Sequence, residues 1–474
     1  MDQNRRDFLK VFGLLGAGTV GAGALQASAS LPSALLAPVM NMNNYRAPKL
    51  ETVRIGFVGV GNRGAAAVKR VCYIEGVAVN AICDIRAERA QLAKESIKHT
   101  GANPVLYTGK ADAWMRLCER PDVDVVYIAT HWKLHIPIAV YAMAHGKHVA
   151  MEIGTNDNIQ EAWDLVKASE TYKRHCIFLE NCCYDFFELL TLNMARQGFF
   201  GEIIHGEGAY IHDIADSLFD TTKRYDLWRL RENAKRTGNL YPTHGLGPIC
   251  NVMNINRGDQ MNYLVSMSSN DFTLNELEKE AFQKDATTFK PFLNAPFRGN
   301  MNTSVIKTHK GKTIMLQHDT SSPRVYSRLH LISGTRASAQ KYPLPGKISV
   351  GHEGWLPDAE MKKIEEKYTL PLVKHLGEMA RQIGGHGGMD FLMDWRWVDC
   401  LRNGLPVDHN VYDAALWSSI GPLSEKSVAG KSTPVSIPDF TRGAWKTNPP
   451  LTFSIEHDNL TGVKAVKKQV VSGS

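Results

Sequence analysis

The sequence predicts an α/β fold: a doubly wound, parallel-sheet domain followed by an α+β domain with a large, mostly antiparallel sheet. Three observations carry this reading. Near residue 54 an apolar run ends in a G-x-G-x-x-G turn and opens a helix, and short apolar strands then alternate with helices to about residue 181. Beyond Gly198 extended runs follow one another with few helical patterns between them.

Residues 1–29 stand outside the fold. Asn4-Arg5-Arg6-Asp7-Phe8-Leu9-Lys10 precedes a Gly/Ala-rich apolar stretch, Val11 to Leu25, that is too short to span a bilayer comfortably, and Ala27-Ser28-Ala29 offers small residues for cleavage. The segment is similar to a twin-arginine export signal, which implies the twin-arginine translocase as a partner and a periplasmic or secreted location. Residues 30–50, with Pro32, Pro38 and Pro48, read as a linker. The remainder is long enough for two domains with sizeable cores. A net charge of +7 without any long Lys/Arg run gives no case for nucleic acid. Eight cysteines without a C-x-x-C pattern argue against a disulfide framework, and the vicinal Cys182-Cys183 reads as two packed thiols.

The first domain is placed at 51–181. Arg54 to Val58 is the opening strand, Gly59 permits the tight turn, Gly61 lets backbone approach a pyrophosphate beside Asn62 and Arg63, and Gly64 lets the helix Ala65–Tyr73 pack close to the strand. The strand Val77–Cys83 ends at Asp84, where a carboxylate can accept hydrogen bonds from ribose hydroxyls and would repel a 2′-phosphate. Together these are the Rossmann fingerprint, and they point to NAD. A helix at 87–100, strands at 123–128, 148–151 and 176–179, and helices at 136–145 and 159–173 continue the alternation. Ligands in such sheets sit beyond the carboxyl ends of strands, which puts Thr130, Trp132, His135, Glu152 and Asn181 at the crevice.

The second domain, 182–474, has expected strands at 203–211, 262–268, 305–309, 313–318 and 324–332. Helices are expected at 359–382, 389–403 and 411–426, some packing back on the first domain. Gly238 to Pro248 reads as a glycine-flanked loop carrying Tyr241, Thr243 and His244, and Tyr and His are ordinary acid–base tools. Arg229 is a candidate substrate clamp. His131 and His135 have the i, i+4 spacing of a zinc site, but no Glu falls between them and no third ligand is evident, so no metal is expected.

Gly59 to Gly64, Asp84, the Gly146 to Glu152 strand and the second domain resemble the Gfo/Idh/MocA oxidoreductase superfamily. More narrowly, Gly238 to Gly247, Glu180-Asn181-Cys182-Cys183-Tyr184, Pro323 to Arg328 and Gly385-His386-Gly387-Gly388-Met389-Asp390 resemble glycoside hydrolase family 109, whose members are NAD-dependent α-N-acetylgalactosaminidases. The resemblance implies NAD contacts from Asn62, Arg63, Asp84, Trp132, Lys133, Leu134, His135, Glu152, Ile153 and Asn181. It implies sugar contacts from Tyr210, Arg229, Tyr241, Pro242, Thr243, His244 and Tyr326. One departure from the broader superfamily separates the two: dehydrogenases carry Glu-Lys-Pro after the 148–151 strand, and here the triplet is Glu152-Ile153-Gly154.

The resemblance further implies hydrolysis of terminal α-N-acetylgalactosamine by a redox route to which the two-carboxylate scheme does not apply. NAD takes hydride from C3 of the sugar, the acidified C2–H is removed, the C1–O bond breaks by elimination, water adds to C1, and hydride returns. A tightly bound NAD recycled each turnover suits a compartment without an NAD pool. His244 and Tyr241 are the expected proton carriers, with the identity of the C2 base open between them. A sugar or polyol dehydrogenase of the same superfamily is the alternative, a non-catalytic NAD-bound sugar sensor a further one, and a homo-oligomer is left open.

Overall fold

The computed structural model describes residues 40–455 and 459–464, so the expected export signal and the first part of the expected linker lie outside the described residues. Except at one edge, the first sheet is built from runs that are largely buried on both faces. Strands β1 (Val53–Val58), β2 (Val77–Asp84), β3 (Val105–Thr108), β4 (Val125–Ile128), β5 (His148–Glu152) and β6 (Cys176–Leu179) pair in the order β3-β2-β1-β4-β5-β6, all parallel. Only covered parallel strands can be this continuously apolar. The order reverses between β1 and β4, which opens a crevice at their carboxyl ends.

Two elements of this half escape the sequence pattern. β3 and the helix Ala113–Cys118 occupy a stretch read only as a connection. β3 is a four-residue edge strand, none of it fully buried, so it lacks the apolar run that marks its neighbours. The first helix starts at Asn62 instead of Ala65, because Gly61 already caps it and Gly64 lies in its first turn.

The second sheet has eight strands. β7 (Ile203–Ile211), β8 (Met261–Ser268), β9 (Met301–Thr308), β10 (Thr313–Asp319), β11 (Ser327–Gly334), β12 (Ala337–Gln340), β13 (Lys347–Val350) and β14 (Val435–Ser436) lie in the order β13-β12-β11-β7-β10-β9-β8-β14. All neighbours run antiparallel except β7 and β10. Buried and partly exposed residues alternate along β9 and β10, as a sheet with one covered face requires. The helices Thr243–Met253 and Val411–Ala429 supply part of that cover, on β7 and β8 respectively.

Helices are more frequent here than expected. Trp228–Asn233, Thr243–Met253 and Leu274–Lys284 all fall between β7 and β9. Thr243–Met253 was hidden by its own composition, since Gly245, Gly247 and Pro248 read as a loop. Packing overrides that propensity: a Cβ on Gly245 would lie 2.2 Å from Ala209 N, and one on Gly208 would lie 2.3 Å from the Gly245 carbonyl oxygen, so helix and strand touch backbone to backbone. The single helix expected over 359–382 is two, Asp358–Tyr368 and Pro371–Ile383. Pro371 forces Leu370 into an extended conformation (φ −61°, ψ 146°) and begins the second helix itself.

The carboxy-terminal helices return to the first sheet. Met389–Asn403 packs on Asn62–Val71, where Arg70 Nη2 meets Asp394 at 2.9 Å, and Val411–Ala429 packs on Ile159–Tyr172 and β6. Residues 40–50 of the expected linker are no free tether: Met42, Asn43, Tyr45 and Ala47 are buried, and the Tyr45 hydroxyl donates to the Lys173 carbonyl at 2.7 Å. All eight thiols are free, and Cys182 and Cys183 are fully packed.

Candidate active site

The crevice over the switch point has two halves that meet at Arg63, Ala129, Thr130, Arg224 and Trp228. Glycine geometry builds the first half. Gly59 has φ +87°, and a Cβ there would lie 2.7 Å from the Ala129 carbonyl oxygen. One on Gly64 would lie 2.0 Å from the Gly59 carbonyl oxygen, so this residue acts through packing. A Cβ on Gly61 would meet only Arg86, at 3.7 Å, which leaves its backbone open to the crevice. Asp84 closes the end. Its Oδ2 accepts from Val60 N at 2.9 Å and its Oδ1 from Arg86 N at 3.0 Å, and each oxygen keeps a lone pair for a further donor. Gly59, Gly61, Asn62, Arg63, Asp84 and Leu134 all line this half. The turn, the open backbone, the helix amino terminus and the terminal carboxylate together fit a dinucleotide.

Arg63 ties the halves together. Its Nε donates to Glu152 Oε1 at 2.8 Å and its Nη1 to Asp390 Oδ2 at 2.7 Å. Tyr127 donates to the same Glu152 oxygen at 2.8 Å, Asn181 Nδ2 donates to Asp390 Oδ1 at 2.6 Å, and His386 Nδ1 lies 2.9 Å from Asp390 Oδ2. Burial opposes ionisation of Asp390, but His386, Arg63 and Arg70 around it prevail and hold its carboxyl well below the usual range. Neither Asp390 nor His386 has an individual role in the sequence reading. Their one signal is the run Gly384-Gly385-His386-Gly387-Gly388, in which every residue has positive φ.

The second half is aromatic and basic. Trp132, His135, Glu152, Ile153, Asn181, Tyr210, Arg229, Tyr241, His244 and His386 line it. Tyr210 comes from β7, and His244 from the first turn of Thr243–Met253. Their rings lie 5.3 Å apart, with Tyr241 4.7 Å from Tyr210 and 5.0 Å from His244. The Arg229 guanidinium stacks over Tyr241 at 4.7 Å and Trp132 at 5.4 Å. Trp132 reaches this position because residue 154 is glycine, where a Cβ would lie 2.6 Å from the indole. Among the described residues no lysine lines this half.

His244 has a fixed partner. Its Nδ1 lies 2.7 Å from Oε1 of Glu180, a fully buried carboxylate just past β6 that also accepts from Cys182 N at 3.0 Å. Burial would raise the Glu180 carboxyl, yet the His244 imidazole outweighs it and holds the group below its ordinary value. Glu180 therefore stays ionised, accepts the hydrogen bond from Nδ1–H and leaves Nε2 as the nitrogen free to exchange a proton. Tyr241 is the opposite case: burial, then the neighbouring Tyr210, pushes its phenol well above the usual value despite Arg229. It can donate a hydrogen bond but is a poor base.

Not every expected contact is brought in. Lys133 turns to Glu232 at 3.4 Å and does not line the crevice, because the short helix Trp132–Leu134 points successive side chains in different directions. Pro242 and Thr243 form the start of the His244 helix and shape it from behind. Tyr326 stands at the edge, 5.0 Å from the His212 ring, which in turn lies 2.9 Å from the Tyr210 hydroxyl; its own hydroxyl accepts from Arg328 Nη1 at 3.1 Å. His135 Nε2 is 3.1 Å from the Thr130 carbonyl, and burial lowers the imidazole to about 4. Among the described residues Glu180, Cys182 and His244 do bring potential ligand atoms within 4.8 Å. The hydrogen bond between Glu180 and His244 already occupies them, and burial pushes the Cys182 thiol well up, so the group reads as an acid–base pair.

A Rossmann domain joined to a large-sheet domain, with a crevice between them that fits a dinucleotide, defines the architectural class. Residues 53–179 match the oxidoreductase family with an NAD-binding Rossmann fold, and residues 184–447 match the C-terminal domain of glycosyl hydrolase 109. An α-N-acetylgalactosaminidase of Bacteroides fragilis is 47% identical over 405 residues, covering 84% of this chain and 94% of that one. A glycosyl hydrolase family 109 protein of Shewanella pealeana is 43% identical over 462 residues, covering 95% and 99%. The chain belongs to glycosyl hydrolase family 109. Among solved structures, a levoglucosan dehydrogenase complexed with NADH superposes with a TM-score of 0.61 at 17% identity, over 82% of this chain and all of that one. An NAD-binding oxidoreductase of Klebsiella pneumoniae gives 0.60 at 14%, over 82% and 99%. These share the fold.

Proposed function

We propose that the protein hydrolyses terminal α-N-acetylgalactosamine through a redox–elimination route in which His244 is the proton carrier at C2. One observation carries this reading: a His244–Glu180 pair at 2.7 Å, in a crevice half that fits a sugar, opens directly onto the half that fits a dinucleotide. Bound NAD supplies a reversible hydride acceptor for C3 of the sugar. The chain supplies the rest. His244 Nε2 takes the proton at C2 and passes it to the departing oxygen at C1, and Glu180 stabilises the intervening imidazolium. After water adds at C1, the proton that water sheds returns to C2 through the same nitrogen. The C3 hydroxyl proton leaves to solvent as hydride departs and comes back when hydride returns. Arg229 and the Tyr210 and Tyr241 hydroxyls hold the ring, and the Trp132 and Trp228 indoles, 5.0 Å apart, form one wall of the site.

The glycosidase relatives and the absence of a lysine from the described lining both favour this over a dehydrogenase. Turnover in heavy water should place deuterium at C2 of the released sugar without net NADH. Retention of C2–H by an enzyme whose His244 exchanges with solvent, with full activity after NAD is stripped, would refute it. Export as a folded holoprotein is part of the same reading and rests on Arg5-Arg6. Replacing both by lysine should retain full-length protein in the cytoplasm, and unchanged export in a translocase mutant would sink that element.

A further inference from the structure

Between β7 and the helix Trp228–Asn233 the chain runs over the mouth of the crevice. Asp220 folds the turn by accepting from Thr222 N at 2.8 Å and Lys223 N at 3.1 Å. Asp226 and Leu227 then have φ of 53° and 47°, two consecutive left-handed residues that are not glycine. Contacts to the first domain are few and soft: Arg86 over the Tyr225 ring at 5.7 Å, Arg89 Nη2 to the Thr222 carbonyl at 3.5 Å, and Trp228 against Trp132. This stretch is a strap, and Arg224 and Trp228 are the strap residues that line both halves of the crevice.

The cations of the dinucleotide half are not equivalent. Arg63 is matched by Glu152 and Asp390, Arg86 has Asp84 at 3.8 Å, Lys223 has Asp220 at 3.5 Å, and Lys110 is exposed to solvent. Arg224 has no carboxylate within ion-pair distance among the described residues. Its bonds go to the Ser217 carbonyl and hydroxyl, both at 3.2 Å, within the strap itself. Burial and then the nearby Arg229 push its guanidinium down to about 10, the direction expected of a cation without its counter-charge. A neutral sugar cannot supply that charge. A dinucleotide can, since it carries two phosphate charges and Arg224 lines the crevice half that fits it.

We propose that Arg224 binds the pyrophosphate of the dinucleotide from the strap side and so sets how slowly the cofactor leaves. The inference rests on the NAD reading above and adds a second clamp to the glycine turn: the turn offers backbone N–H groups from below, and the strap offers a fork of guanidinium donors from above. Slow release is what a recycled cofactor needs.

The test is the rate at which purified holoprotein loses NAD after rapid desalting, read by absorbance of the released nucleotide. Arg224→Gln should speed release by about 10- to 100-fold, and Arg224→Lys by severalfold, because the charge survives but the fork is lost. Wild-type release from Arg224→Gln, with an unchanged circular dichroism spectrum, overturns this inference and leaves the NAD reading standing. A wild-type protein that holds no NAD overturns both. Should Arg224→Gln fail to fold, Arg224→Lys decides, and wild-type release from that variant overturns the inference.

Discussion

The two halves of the crevice are made in different ways. The dinucleotide half is a backbone object: one turn between β1 and its helix supplies the approach, and Asp84 at the end of the next strand supplies the terminal acceptor, all within Gly59 to Asp84. The sugar half is a side-chain object. Tyr210, Arg229, Tyr241 and His244 meet there with Trp132 and Asn181, and its key carboxylate, Glu180, follows β6. Backbone sites tolerate changes of side chain as long as the turn survives, whereas side-chain sites fail one atom at a time.

That contrast can be broken at several points. The largest effect is expected from His244→Ala, which should lower turnover by about 10²–10⁴-fold while NAD stays bound, checked by single-turnover assay and by nucleotide content. Loss of NAD together with activity would mean that the halves are not separable. Glu180→Gln removes the charge that balances His244, and a fall of about 10–10²-fold with NAD retained is expected. Turnover equal to wild type would show that Glu180 is only a packing residue. Asp84→Ala tests the other half: NAD affinity should weaken by about 1–3 kcal/mol by calorimetric titration, with the pH profile of the remaining turnover unmoved. An unaltered dissociation constant would place the ribose elsewhere.

A separate test sharpens the comparison through stability. Burial holds His135 and His330 at about 4 and His148 at about 3, so in the folded protein they are neutral at pH 6 while the unfolded chain begins to protonate near 6.5. The unfolded state then binds more protons, so the stability present above about 6.5 is lost as pH falls toward 4. Each such histidine contributes a slope of up to about 1.4 kcal/mol per pH unit. Urea unfolding between pH 7 and 5 measures it, and a flat profile would show that these imidazoles are solvated.

The same contrast governs what was legible in the sequence. The dinucleotide half was readable because strand, turn, helix and acid follow in one short stretch with fixed spacing. Tyr241, His244 and Arg229 were visible as reactive types, but the partnership of His244 with Glu180 spans 64 positions and has no local signature. Arg224, His386 and Asp390 were invisible as individuals for the same reason. The helix Thr243–Met253 was misread because its glycines serve close packing, Gly245 on β7 and Gly247 on Cys183, Trp417 and Glu180, a demand that composition alone reports as a loop. The break at Pro371 was available in principle from the proline rule, and the apolar period on either side concealed it.

The backbone contact between Gly208 and Gly245 bears on how this enzyme could be re-engineered. No side chain serves as a shim at this crossing, unlike Ile249 and Met253 against Gly206 farther along, so the spacing from the Tyr210 ring to the His244 ring is machined into the main chain. Variation in which sugar is accepted must therefore enter from the adjustable rim, where Tyr326 and His212 stand, while the hinge pin under the proton carrier stays fixed. Libraries aimed at new glycans should leave positions 208 and 245 untouched and spend their diversity on the loop before β11.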